Sequence, residues 1–174
     1  MNHDRGYAVM NKRYFLQAGT TIVAAAWLSR SLLWKPQEDM ATAKGEFELT
    51  KTEAEWRETL TPEQFHVLRK HGTERAGTSP LNKEYGKGTY VCAGCDLPLF
   101  TSDTKFDSGT GWPSFYAPMP EAVETSVDRS LFMTRVEVHC RRCGGHLGHV
   151  FEDGPKPTGQ RYCMNGVALK FTAG

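Results

Sequence analysis

CRRCGGHLGH, residues 140–149, sets two cysteines three positions apart and follows them with three glycines and two histidines. A second C-x-x-C, Cys92-Ala-Gly-Cys95, stands upstream with 44 residues between the pairs. Cys92, Cys95, Cys140 and Cys143 in paired turns are the ligand set of a closed tetrahedral zinc site. The spacing lets the two sulfurs of each pair reach one ion, and Gly94 and Gly144-Gly145 supply tight backbone. The long insert means that one metal would tie distant hairpins together instead of closing a small ribbon, so this stretch bears on the whole fold. Two disulfides are the competing use of the same residues, open to an exported chain. His139, beside Cys140, is either a substitute ligand or an ordinary strand residue.

Outward from the knuckles, 174 residues are enough for one domain with a real core plus an extension. A formal net charge of +1 gives no electrostatic argument for nucleic acid as a partner. Seventeen glycines and nine prolines with only short periodic runs predict many turns and short strands. Thr52-x-x-Glu55 predicts a capping box ahead of Trp56 and Leu60. Thr61-Pro62-Glu63-Gln64 predicts a second helix start, with Phe65 and Leu68 on its apolar face and Gly72 at its end. From Gly88 the signals are strand and turn. Tyr90–Cys92 is β-prone. Asp128-Arg129 suits a turn before Leu131–Val138, a strand with Phe132, Thr134, Val136 and Val138 on one face. There is no internal repeat beyond the two knuckles.

Residues 1–43 carry five Lys/Arg against three Asp/Glu. Lys12-Arg13 precedes an apolar stretch from Ala18 to Leu28 that is too short and broken for a comfortable membrane span, which needs about 20 apolar residues. A charged start, a short apolar centre and Ala41-Thr42-Ala43 match an export signal cleaved after Ala43. N-K-R-Y-F-L-Q resembles a twin-arginine signal, with Lys12 where the first arginine usually stands. The expected destination is the periplasm or an equivalent envelope compartment; the alternatives are a membrane-anchored chain with an uncleaved signal and a cytoplasmic one. Met10 is an alternative start. Residues 44–52 read as a linker before a domain over 53–173.

The fifth cysteine, Cys163, lies in Arg161-Tyr-Cys-Met-Asn165. As a strand, this puts Arg161, Cys163 and Asn165 on one face and Tyr162 and Met164 on the other. A fixed cation beside a thiol favours thiolate; a small buried hydrophobe is the plainer use of a lone cysteine. His146 and His149, at i,i+3, can donate protons near neutral pH, or hold a second metal, or brace a loop. Ser108-Gly-Thr-Gly-Trp112-Pro-Ser-Phe115 holds two aromatics on a rigid turn that can wall a pocket, although Phe115 suits core packing equally.

Four segments now occur together and in order: GTYVCAGC, KFDSGTGWPSF, CGGHLGHVFEDGP and RYCMNGVALKF. This set closely resembles the B-type methionine sulfoxide reductases, from about Glu53 to Phe171. The resemblance implies a mainly β fold of two antiparallel sheets in a tent-like arrangement, with N-terminal helices and structural zinc on the four paired cysteines. It implies thiol-dependent reduction of the R epimer of methionine sulfoxide, free or in oxidised proteins, as a repair activity under oxidative stress. By position Cys163 is the nucleophile that becomes a sulfenic acid. His146 and His149 are proton donors and oxygen binders, and Asn165 helps to bind the polarised sulfoxide. Trp112 is the wall for the substrate methyl, with Phe115 beside it, and Arg161 and Asp153 tune and orient the site. A thioredoxin-like reductant and a monomeric state are expected. One departure stands out: many relatives carry a resolving cysteine where this chain has Thr110. A zinc-dependent binding module without catalysis, and a thiol oxidoreductase using C-x-x-C chemistry, are the readings that compete with this one.

Overall fold

The computed structural model describes residues 47–130 and 133–174. The expected export segment, residues 1–43, lies outside the described residues, as does Phe132. Among the described residues, no helix is long and apolar enough to cross a membrane.

Both predicted helices form. In α1 (Glu53–Thr59) and α2 (Pro62–Lys70), the caps Thr52 and Thr61 close full capping boxes with Glu55 and Gln64. These satisfy N–H groups that a first helical turn leaves without partners. Trp56, Leu60, Phe65, Val67 and Leu68 are buried. The left-handed residue that ends α2 is His71 (φ 53°) instead of Gly72. Gly72 lets the His66 ring lie close: a Cβ there would come 2.2 Å from the ring, and His66 would have to move. The His71 side chain at this cap reaches Glu137 of the sheet at 2.9 Å.

The remaining described elements are strands and short 3-10 turns. β1 (Gly88–Cys92) is the centre of a three-stranded sheet with β2 (Pro98–Thr101) and β9 (Leu169–Ala173). The second sheet has six strands: β3 (Lys105–Phe106), β4 (Ser114–Phe115), β8 (Arg161–Met164), β7 (His146–Phe151), β6 (Arg135–Cys140) and β5 (Val123–Asp128), in that order. Every pairing is antiparallel. The core is built on aromatics: Phe100 stacks on Phe115 at 4.4 Å, and Tyr90 meets Phe115 edge-on at 4.9 Å. The tyrosine hydroxyl donates to the Glu84 carbonyl at 2.6 Å, so its polar end is satisfied inside the core.

The strand expected over 131–138 begins later, at Arg135. Val138 is fully buried, but Val136 on the same face is 41% exposed, opposite Val127 at 60%. The β5–β6 hairpin therefore runs past the core at this end. Asp128 closes β5, and its carboxylate accepts the Ser130 N–H at 2.8 Å in the turn that follows.

Candidate active site and metal centre

Cys92 ends β1 in one sheet and Cys140 ends β6 in the other. Each opens a tight turn: Asp96 N–H returns to the Cys92 carbonyl and Gly144 N–H to that of Cys140. The left-handed residue comes just after the second cysteine in both turns, Asp96 (φ 57°) and Gly144 (φ 67°). Gly94 is not strained, and a Cβ there would make only ordinary contacts. The four sulfurs lie within 4.8 Å of one another, with Cys92–Cys143 at 3.7 Å and Cys95–Cys140 at 3.5 Å. Thiolates about 2.3 Å from a tetrahedral ion stand roughly 3.8 Å apart, whereas a disulfide needs about 2.05 Å. The geometry is that of a metal site joining the two sheets. Sulfur contacts with Cys140 and Cys143, together with burial, push the Cys92 thiol up, an opposition that a cation would reverse. His139 is not among the four clustered residues.

Cys163 sits elsewhere. Pairing across the six-stranded sheet sets Ser126 opposite Glu137, Glu137 opposite His149, His149 opposite Cys163, and Cys163 opposite Ser114. Opposed residues in antiparallel strands share a face, so these five form one row across five strands. In a regular strand His146 and His149 would point to opposite faces. The register shifts between Val138 and His139, leaving His139 opposite His146. That extra residue on β7 returns both histidines to the row's face, with ring centroids 5.4 Å apart.

Two carboxylates hold the two imidazoles. Glu137 Oε1 lies 2.8 Å from His146 Nδ1 and 2.9 Å from His71 Nδ1, and its Oε2 accepts the Ser126 hydroxyl at 2.7 Å. Burial raises the Glu137 pKa, but the hydrogen bonds from His146, His71 and Ser126 outweigh it and hold the carboxyl well below its ordinary range. His71 is raised by its bond to Glu137, against burial. Asp128 Oδ2 lies 2.9 Å from His149 Nε2 and 2.7 Å from Arg135. Its carboxyl is held very low, first by the Ser130 N–H and then by His149. His149 itself is lowered, because burial outweighs the Asp128 bond.

Cys163, His149, Asn165 and Trp112 line one small cavity of about 120 Å³ with Thr73, Arg135 and Phe151. His146 lines the adjoining cavity of about 490 Å³, which shares Thr73, Arg135 and His149 with the first. A larger groove of about 900 Å³ lies beyond the 73–81 segment and has no cysteine in its lining. Thiol chemistry, not size, selects the smaller cavity.

Three expected site residues stand differently. Phe115 is fully buried on Phe100 and Tyr90 and does not reach the cavity. Its side chain faces away from the row because its neighbour Ser114 belongs to the row. Arg161 is also outside the lining. It forks onto Asp153 with two bonds of 2.8 Å, lies over the Phe151 ring at 4.4 Å, and also interacts with the Cys163 sulfur. That fork is the first cause of its raised pKa, with Cys163 adding to it. Asp153 is mostly exposed, and its carboxylate pairs with Arg161. Sequence reasoning missed Glu137, Asp128, Arg135, Phe151, Glu74 and His71. Only Glu137 left a signal: an acid between two strand valines points to the face the valines do not.

The SelR domain model matches residues 60–173. The chain is 57% identical over 124 residues to a peptide methionine sulfoxide reductase MsrB of Agrobacterium fabrum, covering 71% of this chain and 92% of that protein. A Methanosarcina mazei protein of the same name is 60% identical over 127 residues, with 71% and 89% covered. The peptide methionine sulfoxide reductase B1 of Arabidopsis thaliana chloroplasts is 52% identical over 140 residues, with 80% and 69% covered.

Proposed function

This chain belongs to the SelR-domain family of peptide methionine sulfoxide reductases, and from that premise we propose that Cys163 is its nucleophile and the R epimer of methionine sulfoxide its substrate. The protein is an oxidoreductase that returns methionine sulfoxide to methionine. The observation that carries the residue assignment is the division of the five cysteines: four sulfurs gather within 4.8 Å of one another, and Cys163 alone faces a cavity with an indole, an imidazole and an amide.

The Cys163 thiolate attacks the sulfoxide sulfur. The sulfur–oxygen bond of the substrate breaks and the oxygen passes to Cys163 as a sulfenic acid. Methionine sulfur gains the two electrons that the cysteine sulfur loses. Sulfoxide oxygen leaves poorly until it is protonated, so a proton must arrive opposite the thiolate. His149, in the cavity, and His146, next to it, deliver it, each held by a carboxylate at 2.9 and 2.8 Å. Asn165 binds the polarised oxygen and Trp112 takes the methyl, separating epimers by shape. Two reduced thiols of an external donor then regenerate Cys163, releasing water and a disulfide; a thioredoxin-like protein is the expected donor.

Cys92, Cys95, Cys140 and Cys143 would hold one structural zinc ion, and through them β1 and β6 would be tied together. The domain acts as a monomer on oxidised proteins. Residues 1–43 send it to the cell envelope; an envelope fraction holding a chain that starts near Lys44 supports this, and full-length protein confined to the cytosol contradicts it. The deciding experiment for the activity is an assay of the 44–174 chain on separated sulfoxide epimers with a thiol reductant. Turnover of the R epimer alone supports the assignment, and turnover of the S epimer alone contradicts it.

A further inference from the structure

Trp112 and Asn165 come from different parts of the chain, and one residue that no motif marked touches the fixings of both. The Glu74 carbonyl accepts the Trp112 indole N–H at 3.1 Å. Its backbone N–H donates to the Asn165 side-chain oxygen at 2.9 Å. Its carboxylate accepts the N–H of Gly166 at 2.7 Å and of Val167 at 2.9 Å, the two residues after Asn165. The Asn165 amide nitrogen donates to Leu147 O at 3.0 Å, which leaves the orientation of this side chain fixed at both ends.

Two glycines allow the approach. A Cβ on Gly166 would lie 1.9 Å from Ser79 Oγ and 3.4 Å from Glu74 Oε1. Gly111, at φ +90°, would meet Gly77 N at 2.9 Å and Ala76 Cβ at 3.0 Å, and Gly77 N–H already donates to Gly111 O at 2.7 Å. The 74–77 segment is thus pressed between the loop before Trp112 and the turn after Asn165. What holds it there is a carboxylate on two main-chain N–H groups, the stronger class of hydrogen bond.

We propose that Glu74 is a positioning residue for substrate recognition: its carboxylate clamps the turn after Asn165, so that its own main chain sets the indole and the amide at the spacing the sulfoxide requires. This rests on the assignment of the cavity as the sulfoxide site. Glu74 lines the far groove, not the cavity around Cys163, and touches no reacting atom. Its loss should weaken substrate binding and epimer discrimination and leave the intrinsic reactivity of Cys163 alone.

The test is Glu74→Gln in the metal-loaded domain. The amide keeps the shape but turns one acceptor into a donor facing an N–H. The expected result is a KM for R-methionine sulfoxide raised about tenfold, a smaller change in kcat, and unchanged alkylation of Cys163 by iodoacetamide. Hydrogen exchange of the Trp112 indole N–H, followed by nitrogen-edited NMR, should quicken at least tenfold. Glu74→Asp, with the charge kept and the reach shortened, should fall between. Wild-type KM and indole protection in Glu74→Gln overturn the proposal. So does a variant that loses thermal stability with no change in KM at a temperature where it remains folded, since Glu74 is then only structural. If wild-type protein fails to reduce sulfoxides, the reading of the cavity fails, and indole exchange alone decides whether Glu74 is the clamp.

Discussion

The Thr110 hydroxyl oxygen lies 3.8 Å from the Cys163 sulfur. The same hydroxyl meets Ser108 Oγ at 2.8 Å, and Ser108 meets Ser114 Oγ at 2.7 Å. Position 110 therefore reaches Cys163, the proposed nucleophile, but what it presents is an alcohol, which cannot resolve a sulfenic acid into a disulfide. The remaining four cysteines gather in the separate sulfur cluster. Recycling then depends on a thiol from outside.

A thiol placed at position 110 should change that. In Thr110→Cys the new sulfur begins near the present contact distance and has to close to about 2.05 Å. Exposed to substrate without reductant, this variant should lose two hydrogens per chain, with Cys163 linked to position 110 in a peptide map. A variant that still gains one oxygen would show that the loop does not bring the two sulfurs together.

The metal cluster should be a condition of folding. Cys92→Ser and Cys143→Ser each remove a link between sheets, and structural sites of this kind supply about 10–16 kcal/mol of apparent free energy. Neither variant should show a cooperative thermal transition, and elemental analysis of the wild type should find one zinc per chain. A metal-free protein that is active and melts normally would contradict this.

Phe115 gives a clean contrast between core and pocket. Phe115→Ala should cost about 3–5 kcal/mol of stability, read from denaturant unfolding. At a temperature where the variant is folded, KM should stay within about twofold, since losing tenfold would need about 1.4 kcal/mol of binding energy. Unchanged stability with lost substrate affinity would place the ring in the cavity after all.

His71 should make stability depend on pH. Its folded-state pKa is raised by Glu137, so the stabilisation is complete below the unfolded histidine value of about 6.5 and disappears as pH rises through the raised folded value. The side chain is 65% exposed, which limits the effect to less than about 1 kcal/mol. The melting temperatures of wild type and His71→Ala should differ most near pH 6 and converge by pH 9. A gap that widens with pH would reverse the sign of the argument.

Much of this was legible in the residues, and what was not has a physical reason. Capping boxes are local, so Thr52 and Thr61 marked both helices. The period of two gave the face shared by Arg161, Cys163 and Asn165, and paired C-x-x-C spacing gave the four-sulfur cluster. The bulge opposite Val138 is a property of two strands together, and it alone puts His146 and His149 on one face. Asp128 and Glu137 reach those histidines only through cross-strand register. Glu74 meets Trp112 and Asn165 through its main chain and the turn after Asn165 through its carboxylate, contacts too distant in sequence for a local pattern to mark. Phe115 was misread because its neighbour belongs to the row, and alternation then sends the ring to the core.

The central claim is that Cys163 takes the oxygen and no cysteine of the chain takes it back. Its most direct test is the intact mass of the 44–174 chain after one exposure to R-methionine sulfoxide without reductant, with sulfenic acid and thiols trapped before the metal is stripped and the chain denatured. The account predicts one methionine released per chain and a gain of one oxygen, trapped by a sulfenic-specific reagent on Cys163 and absent in Cys163→Ser. A product lighter by two hydrogens, with Cys163 joined to Cys92, Cys95, Cys140 or Cys143, would contradict it: a metal ligand would then double as the resolving thiol.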